Sequence, residues 1–175
     1  MDRMPYNTLF LCTGNSARSV LAEATLNDLG QGRFRAFSAG SQPSGRVNRF
    51  ALELLKQRGH PVDGVRSKSW DEFAAAPAQS AGAGHPGTPQ MDFIITVCDN
   101  AAGEACPLWP GHPAAAHWGV EDPAAVAGSD EDKRAAFLNA YSILRRRIDL
   151  LLALPLDQLD AFAKTARLKE IGKAP

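Results

Sequence analysis

Cys12 ends the apolar run from Thr8, and after five small residues, Thr13, Gly14, Asn15, Ser16 and Ala17, come Arg18 and Ser19. Small side chains around a glycine let the backbone curl until successive N–H groups converge. Such a nest, in line with the positive end of a following helix, suits a tetrahedral oxyanion. Arg18 adds a planar fork of donors matched to two oxygens of that anion, where a lysine would add only a point charge. A thiol beside a cation or a helix N-terminus is acidified, so Cys12 is expected to be a thiolate nucleophile at neutral pH. Ser19 is placed to donate a hydrogen bond to the sulfur, and Asn15 to brace the loop with its amide. The bland alternative, a buried strand-end cysteine and a surface arginine, is weakened by the strand before, the helix after and the Gly-Asn-Ser filling between.

Cys98 and Cys106 form a second group in "TVCDNAAGEACPLWPGHP". With His112 and His117 they spell C-x7-C-x5-H-x4-H, but the first gap exceeds the two to four residues usual in zinc sites. No metal is therefore expected. Two packed thiols without a task remain an alternative, more natural for Cys98 than for Cys106. Asp122 before Pro123 reads either as an ordinary turn opening or as a proton donor. His117 and Trp118 read as structural, and His60 and His85 have no evident partner.

The elements around these residues alternate strand and helix. "TLFLC" and "DFIITV" are short apolar runs of the kind a doubly covered parallel strand shows, "RFRAFSAG" is a third strand, and "AAAHW" a weaker fourth. After Cys12, Val20, Leu21, Ala24 and Leu29 are spaced for one helical face, with Gly30 as C-cap. A second helix carries Val47, Phe50, Ala51, Leu54 and Leu55, and stops at Gly59 and Pro61. Ser129 with Asp132 opens a helix from Asp130 to Ala153 whose stripe is Leu138, Tyr141, Leu144, Ile148, Leu151 and Leu152. Residues 74–90 mix Pro, Gly, Ala and Ser without period and read as a flexible loop insertion, and 156–175 as a tail that forms a short helix or frays. Such alternation predicts one α/β domain over residues 1–175, a four-stranded parallel sheet flanked by helices in three layers, with ligands beyond the carboxyl ends of the strands. Cys12 and Cys98 both stand at such ends.

The 175 residues, 45% hydrophobic, suffice for one core, and 19 basic against 19 acidic residues leave no global field to recruit nucleic acid or an anionic membrane. No apolar run spans a bilayer and no signal peptide is evident. A cytoplasmic protein is expected, a monomer by default, and in that reducing compartment three cysteines point to chemistry before scaffolding.

"CTGNSARS" after an apolar strand resembles the active-site loop of the low-molecular-weight protein tyrosine phosphatase fold, and more closely that of the arsenate reductases built on it. The likeness covers about Thr8 to Ala153, apart from 74–90. Many of these proteins carry a second cysteine within the loop, where this chain has Ala17, which argues against a disulfide inside it. The resemblance implies arsenate as substrate and a cascade through Cys12, Cys98 and Cys106. Thioredoxin, or glutathione with glutaredoxin, would then be the reductant, and no cofactor is implied. It further implies that Asp122, in a segment similar to "HWG..DP", acts as general acid. Some relatives bind potassium near the loop. Asn15, Glu23 and Ser38 fall on matching positions, but the aspartate expected near Trp70 is missing, so the ion is not expected. The rival enzyme is a phosphatase using only Cys12, Arg18 and Asp122, though "AAVAGSDED" after Pro123 offers no ring to stack on phosphotyrosine. A non-enzymatic oxyanion or redox sensor is the third reading.

Overall fold

The apolar runs pair into one sheet in which every neighbour is parallel. The structure, a computed structural model, describes residues 4–74, 89–99, 109 and 113–175. Most of the 74–90 insertion, together with Cys106, His85 and His112, lies outside these. Strands β1 (Tyr6–Cys12), β2 (Phe34–Gly40), β3 (Phe93–Thr96) and β4 (Ala114–His117) stand in the order β2-β1-β3-β4. Chain order thus reverses beside β1, and a ligand site forms in the crevice outside the carboxyl ends at such a switch point. The register sets Cys12 beside Gly40 and Leu11 beside Thr96. Cys98, two residues beyond Thr96, therefore reaches the same edge as Cys12, as expected.

The described residues also form the helices α1 (Arg18–Leu29), α2 (Arg49–Gln57), α3 (Asp130–Leu152) and α4 (Ala161–Ile171). They share one core with the strand face that carries Tyr6, Phe10, Phe93 and Ile95. The opposite face, Leu9, Leu11, Ala39 and Ile94, is covered by Phe73 and Met91, with Phe37, Trp70 and Trp109 at its margin. Among the described residues this second cover includes the 3-10 turn Trp70–Glu72 and these apolar side chains. None of the described helices is long and apolar enough to cross a membrane.

Asn48 caps α2 by accepting from Phe50 N–H, which leaves Val47 outside the helix, and Gly59 at φ 78° ends the turn after it. The Ser129–Asp132 capping box opens α3 as the sequence predicts. The stripe of α3, however, is Phe137, Ala140, Tyr141, Leu144, Ile148 and Leu151, while Leu138 is 38% exposed. At 100° per residue, Leu138 stands one position off the face that Tyr141 and Leu144 define, and Phe137 takes its place. Helix α1 also departs from a one-faced pattern. Every residue from Ser19 to Leu26 is buried, because α1 lies between the sheet and α3.

The tail is anchored. Trp118, fully buried, donates its indole N–H to Leu168 O at 2.9 Å, and Leu168 is itself fully buried. A Cβ on Gly172 would overlap His117 O, so a glycine is what lets the end of α4 lie against β4. Leu168→Ala should lower stability by about 2–5 kcal/mol in urea unfolding followed by Trp fluorescence. A change within error would mean that α4 frays from the sheet.

Candidate active site

Cys12 is buried at the tip of β1, where the chain leaves the sheet and reaches α1 through residues 13–17. A second segment holds this loop open. Thr13 O accepts from Gln42 N–H, Gly14 O from Ser44 N–H and Ser67 Oγ, and Ser16 O from Asn48 N–H. With these carbonyls satisfied on the outside, the loop's N–H groups turn toward the cysteine. Asn15 N–H donates to Cys12 Sγ at 3.2 Å. Asn15 takes φ 46°, in the left-handed region that asparagine tolerates better than most residues, and its buried side chain repays the strain twice. Its Oδ1 accepts from Lys68 N–H at 2.9 Å and its Nδ2 donates to Ser19 Oγ at 2.8 Å. The Ser19 hydroxyl is in turn in hydrogen-bond contact with Cys12 Sγ, 2.8 Å away. Asn15 thus ties the loop to residue 68 and to Ser19, and Ser19 stands against the sulfur.

Burial pushes the Cys12 thiol up, against the lowering by the Ser19 hydroxyl and by the Ser19 and Asn15 N–H groups, while Cys98 adds to the rise. This corrects the expectation of a net acidified thiol. Desolvation outweighs the hydrogen bonds on the sulfur, and Arg18 is engaged elsewhere. Its Nη1 donates to Val120 O at 2.9 Å and its Nη2 lies 3.7 Å from Asp122 Oδ2. Asp122 caps the 3-10 turn Pro123–Ala125 by accepting from Ala124 N–H. The turn reading and closeness to the site therefore both hold. Cys98 is buried, with its Sγ 3.7 Å from Thr13 Oγ1, so the residue after the first thiol touches the second. Neither Cys12 nor Cys98 is in a disulfide.

The zinc alternative finds no support where it falls on described residues. His117 Nδ1 lies 2.8 Å from Thr96 Oγ1 and Nε2 2.8 Å from Asp99 Oδ1, and among the described residues no metal-competent cluster occurs. A potassium ion does not fit its expected place either. Glu23, held by Ser38 Oγ at 2.9 Å, faces the buried Lys68 ammonium at 3.7 Å, which already neutralises the carboxylate. His60 proves to be partnered, by Asp28 at 2.7 Å and Tyr141 at 2.6 Å.

Sequence reasoning missed Lys68, Ser67 and Gly40. A Cβ on Gly40 would overlap Thr13 O and lie 2.9 Å from Cys12 O. The small residues closing β2 were the only sign of that approach; the spacing of Lys68 carries none. Gly40→Ala should cost about 1–3 kcal/mol of stability and weaken phosphate binding, measured by titration. Unaltered affinity would show that the loop tolerates displacement. Ser19→Ala removes a donor that favours the thiolate, so the midpoint of Cys12 alkylation by iodoacetamide should move to higher pH. A fixed midpoint would deny the hydroxyl that role.

Comparison with known proteins places this geometry. Residues 7–165 match the family described as low molecular weight phosphotyrosine protein phosphatase. The arsenate reductase of Halalkalibacterium halodurans is 32% identical over 139 residues, covering 79% of this chain and 89% of that protein. That of Bacillus subtilis is 33% identical over the same shares. Among solved structures, an arsenate reductase from Archaeoglobus fulgidus aligns with a TM-score of 0.59 at 27% identity, over 84% of this chain and 99% of its own. A low molecular weight protein tyrosine phosphatase from T. tengcongensis, 21% identical over 88% and 99% of the two chains, shares the fold with a TM-score of 0.62. The chain belongs to the low molecular weight phosphotyrosine protein phosphatase family, on the side of the arsenate reductases built on that fold.

Proposed function

We propose that this protein reduces arsenate to arsenite by a cascade of its three thiols. The observation that carries the reading is the second buried thiol, Cys98, set against Thr13 at the sheet edge that holds Cys12. A phosphatase needs the first thiol and has no use for the second.

Thr13, Gly14, Asn15, Ser16, Ala17 and Arg18 cradle the oxyanion, with Arg18 leaving Val120 O to grip two of its oxygens. Cys12 attacks arsenic and water departs, with Asp122 supplying the proton to the leaving oxygen. Cys98, as thiolate, then attacks Cys12 Sγ. The S–S bond forms, the S–As bond breaks, and its electron pair stays on arsenic, which leaves as arsenite. Cys106 next attacks Cys98 and expels the Cys12 thiolate, leaving a Cys98–Cys106 disulfide for an external dithiol to reduce. Thioredoxin fits that last step, and glutathione with glutaredoxin is the alternative. A reducing cytoplasm suits three standing thiols. Since one chain carries every group the cascade uses, a monomer suffices.

The test is a single turnover of fully reduced protein with arsenate, followed by mass spectrometry. One arsenite released with a Cys98–Cys106 bridge is the expected result. Cys98→Ser should retain arsenic on Cys12 and lower multiple turnover by on the order of 10³-fold or more. Unchanged thiols with hydrolysis of a phosphate ester would make the protein a phosphatase using Cys12, Arg18 and Asp122 alone.

A further inference from the structure

The chemistry above leaves one buried charge pair unused. Glu23 and Lys68 face each other at 3.7 Å with side chains 11% and 6% exposed. Withdrawing two charges from water is costly, and apolar residues of similar shape are often at least as stable, so the pair calls for a local reason. Each charge is held by further groups. Lys68 Nζ donates to Arg66 O at 3.2 Å, and Glu23 Oε2 accepts from Ser38 Oγ at 2.9 Å. The ammonium thus lies against a carboxylate oxygen and a carbonyl oxygen, surroundings suited to a single monovalent cation, with a lysine stem as its tether. Burial pushes the Glu23 carboxyl up and the Lys68 ammonium down, and each charge pulls the other back toward its ionised form. Nearby, Arg66 is engaged with Glu72 at the exposed rim.

The main chain of Lys68 lies on the reacting loop. Its N–H donates to Asn15 Oδ1 at 2.9 Å, and its carbonyl accepts from Gly40 N–H at 2.9 Å. One residue therefore fixes both the amide that orients Ser19 on Cys12 and the glycine over which Thr13 passes. We propose that Lys68 is a built-in cation that positions the oxyanion loop. Anchored on Glu23, its ammonium holds residues 66–69 against Asn15 and so sets the chain from Asn15 through Ser19 to Cys12. The place a monovalent cation would take beside Glu23 is filled by this ammonium. Lys68 is a positioning residue, acting through Asn15. The inference rests on reading the Cys12 loop as an oxyanion site, and its deciding readout, phosphate protection of Cys12, needs no reduction of arsenate.

The experiment uses the full-length protein, Lys68→Met, Lys68→Ala and the double variant Lys68→Met with Glu23→Gln, which leaves no buried charge unpaired. Inorganic phosphate is titrated against Cys12 alkylation, the pH profile of alkylation is recorded, and arsenate kcat and KM are measured in sodium, potassium and ethylammonium salts. The unsubstituted protein should be indifferent to the cation. Lys68→Met and the double variant should lose phosphate protection by roughly 10- to 100-fold, with a shifted alkylation profile and a raised KM. Lys68→Ala should regain part of that protection in ethylammonium. Normal phosphate protection in the double variant would reduce the pair to a packing role and overturn the proposal, even if Lys68→Met alone failed to fold. So would a folded Lys68→Ala indifferent to ethylammonium, or potassium activation of the unsubstituted protein. Failure to reduce arsenate with these phosphate results intact would strike the reductase reading alone.

Discussion

The hydrogen-bond chain from Lys68 N–H through the Asn15 amide and the Ser19 hydroxyl to Cys12 Sγ is the constraint on which the site depends. The first link fixes the direction of the second. An amide has an acceptor end and a donor end, so once Oδ1 faces Lys68, Nδ2 must face Ser19. The Ser19 hydroxyl, accepting from that Nδ2, is in hydrogen-bond contact with Cys12 Sγ. Asn15 adopts a left-handed backbone to take part, and the surrounding bonds hold it there. The outward carbonyls of Thr13, Gly14 and Ser16, tied to residues 42, 44 and 48, complete the arrangement from behind.

The sheet serves this loop through register. Pairing of Cys12 with Gly40 and of Leu11 with Thr96 puts a glycine on one side of the nucleophile and the second thiol just past the strand on the other. A side chain at Gly40 would displace the loop, and a slip of one residue between β1 and β3 would turn Cys98 to the opposite face. The apolar strand cores that exclude such a slip, Phe10 and Ile95 on one face and Leu9 and Ile94 on the other, therefore also position the chemistry.

What the sequence made legible is what is local. The Cys12 to Ser19 loop, the capping box at Ser129 and Asp132, the four strands and the glycine stop after α2 each depend on neighbours a few residues apart, and each was readable. The stripe of α3 was off by one position because the identity of a leucine was given weight over the angle at which its face meets α1. Lys68 lies 53 positions from Asn15, and its contact is through a backbone N–H, which has no residue type to read. Only the fold shows the carboxylate of Glu23 beside its ammonium. The C-terminal segment likewise had helical spacing, but its anchorage depends on Trp118, which no local pattern links to Leu168.

A raised Cys12 thiol appears at odds with a nucleophile, and the charge balance of the bound state resolves it. Burial pushes the Cys12 thiol up against the hydrogen bonds of Ser19 and Asn15, which favour the charged form. When a doubly ionised oxyanion enters, a neutral thiol is the better neighbour, because a thiolate would repel it. In the mechanism proposed above, a thiol proton passed to an oxyanion oxygen would create the nucleophile and leave Asp122 to protonate the departing oxygen. Total charge in the nest is unchanged by the transfer, so the low-dielectric surroundings that push the thiol up do not oppose it. The donors on sulfur are two N–H groups and a hydroxyl, and they favour the thiolate once it forms.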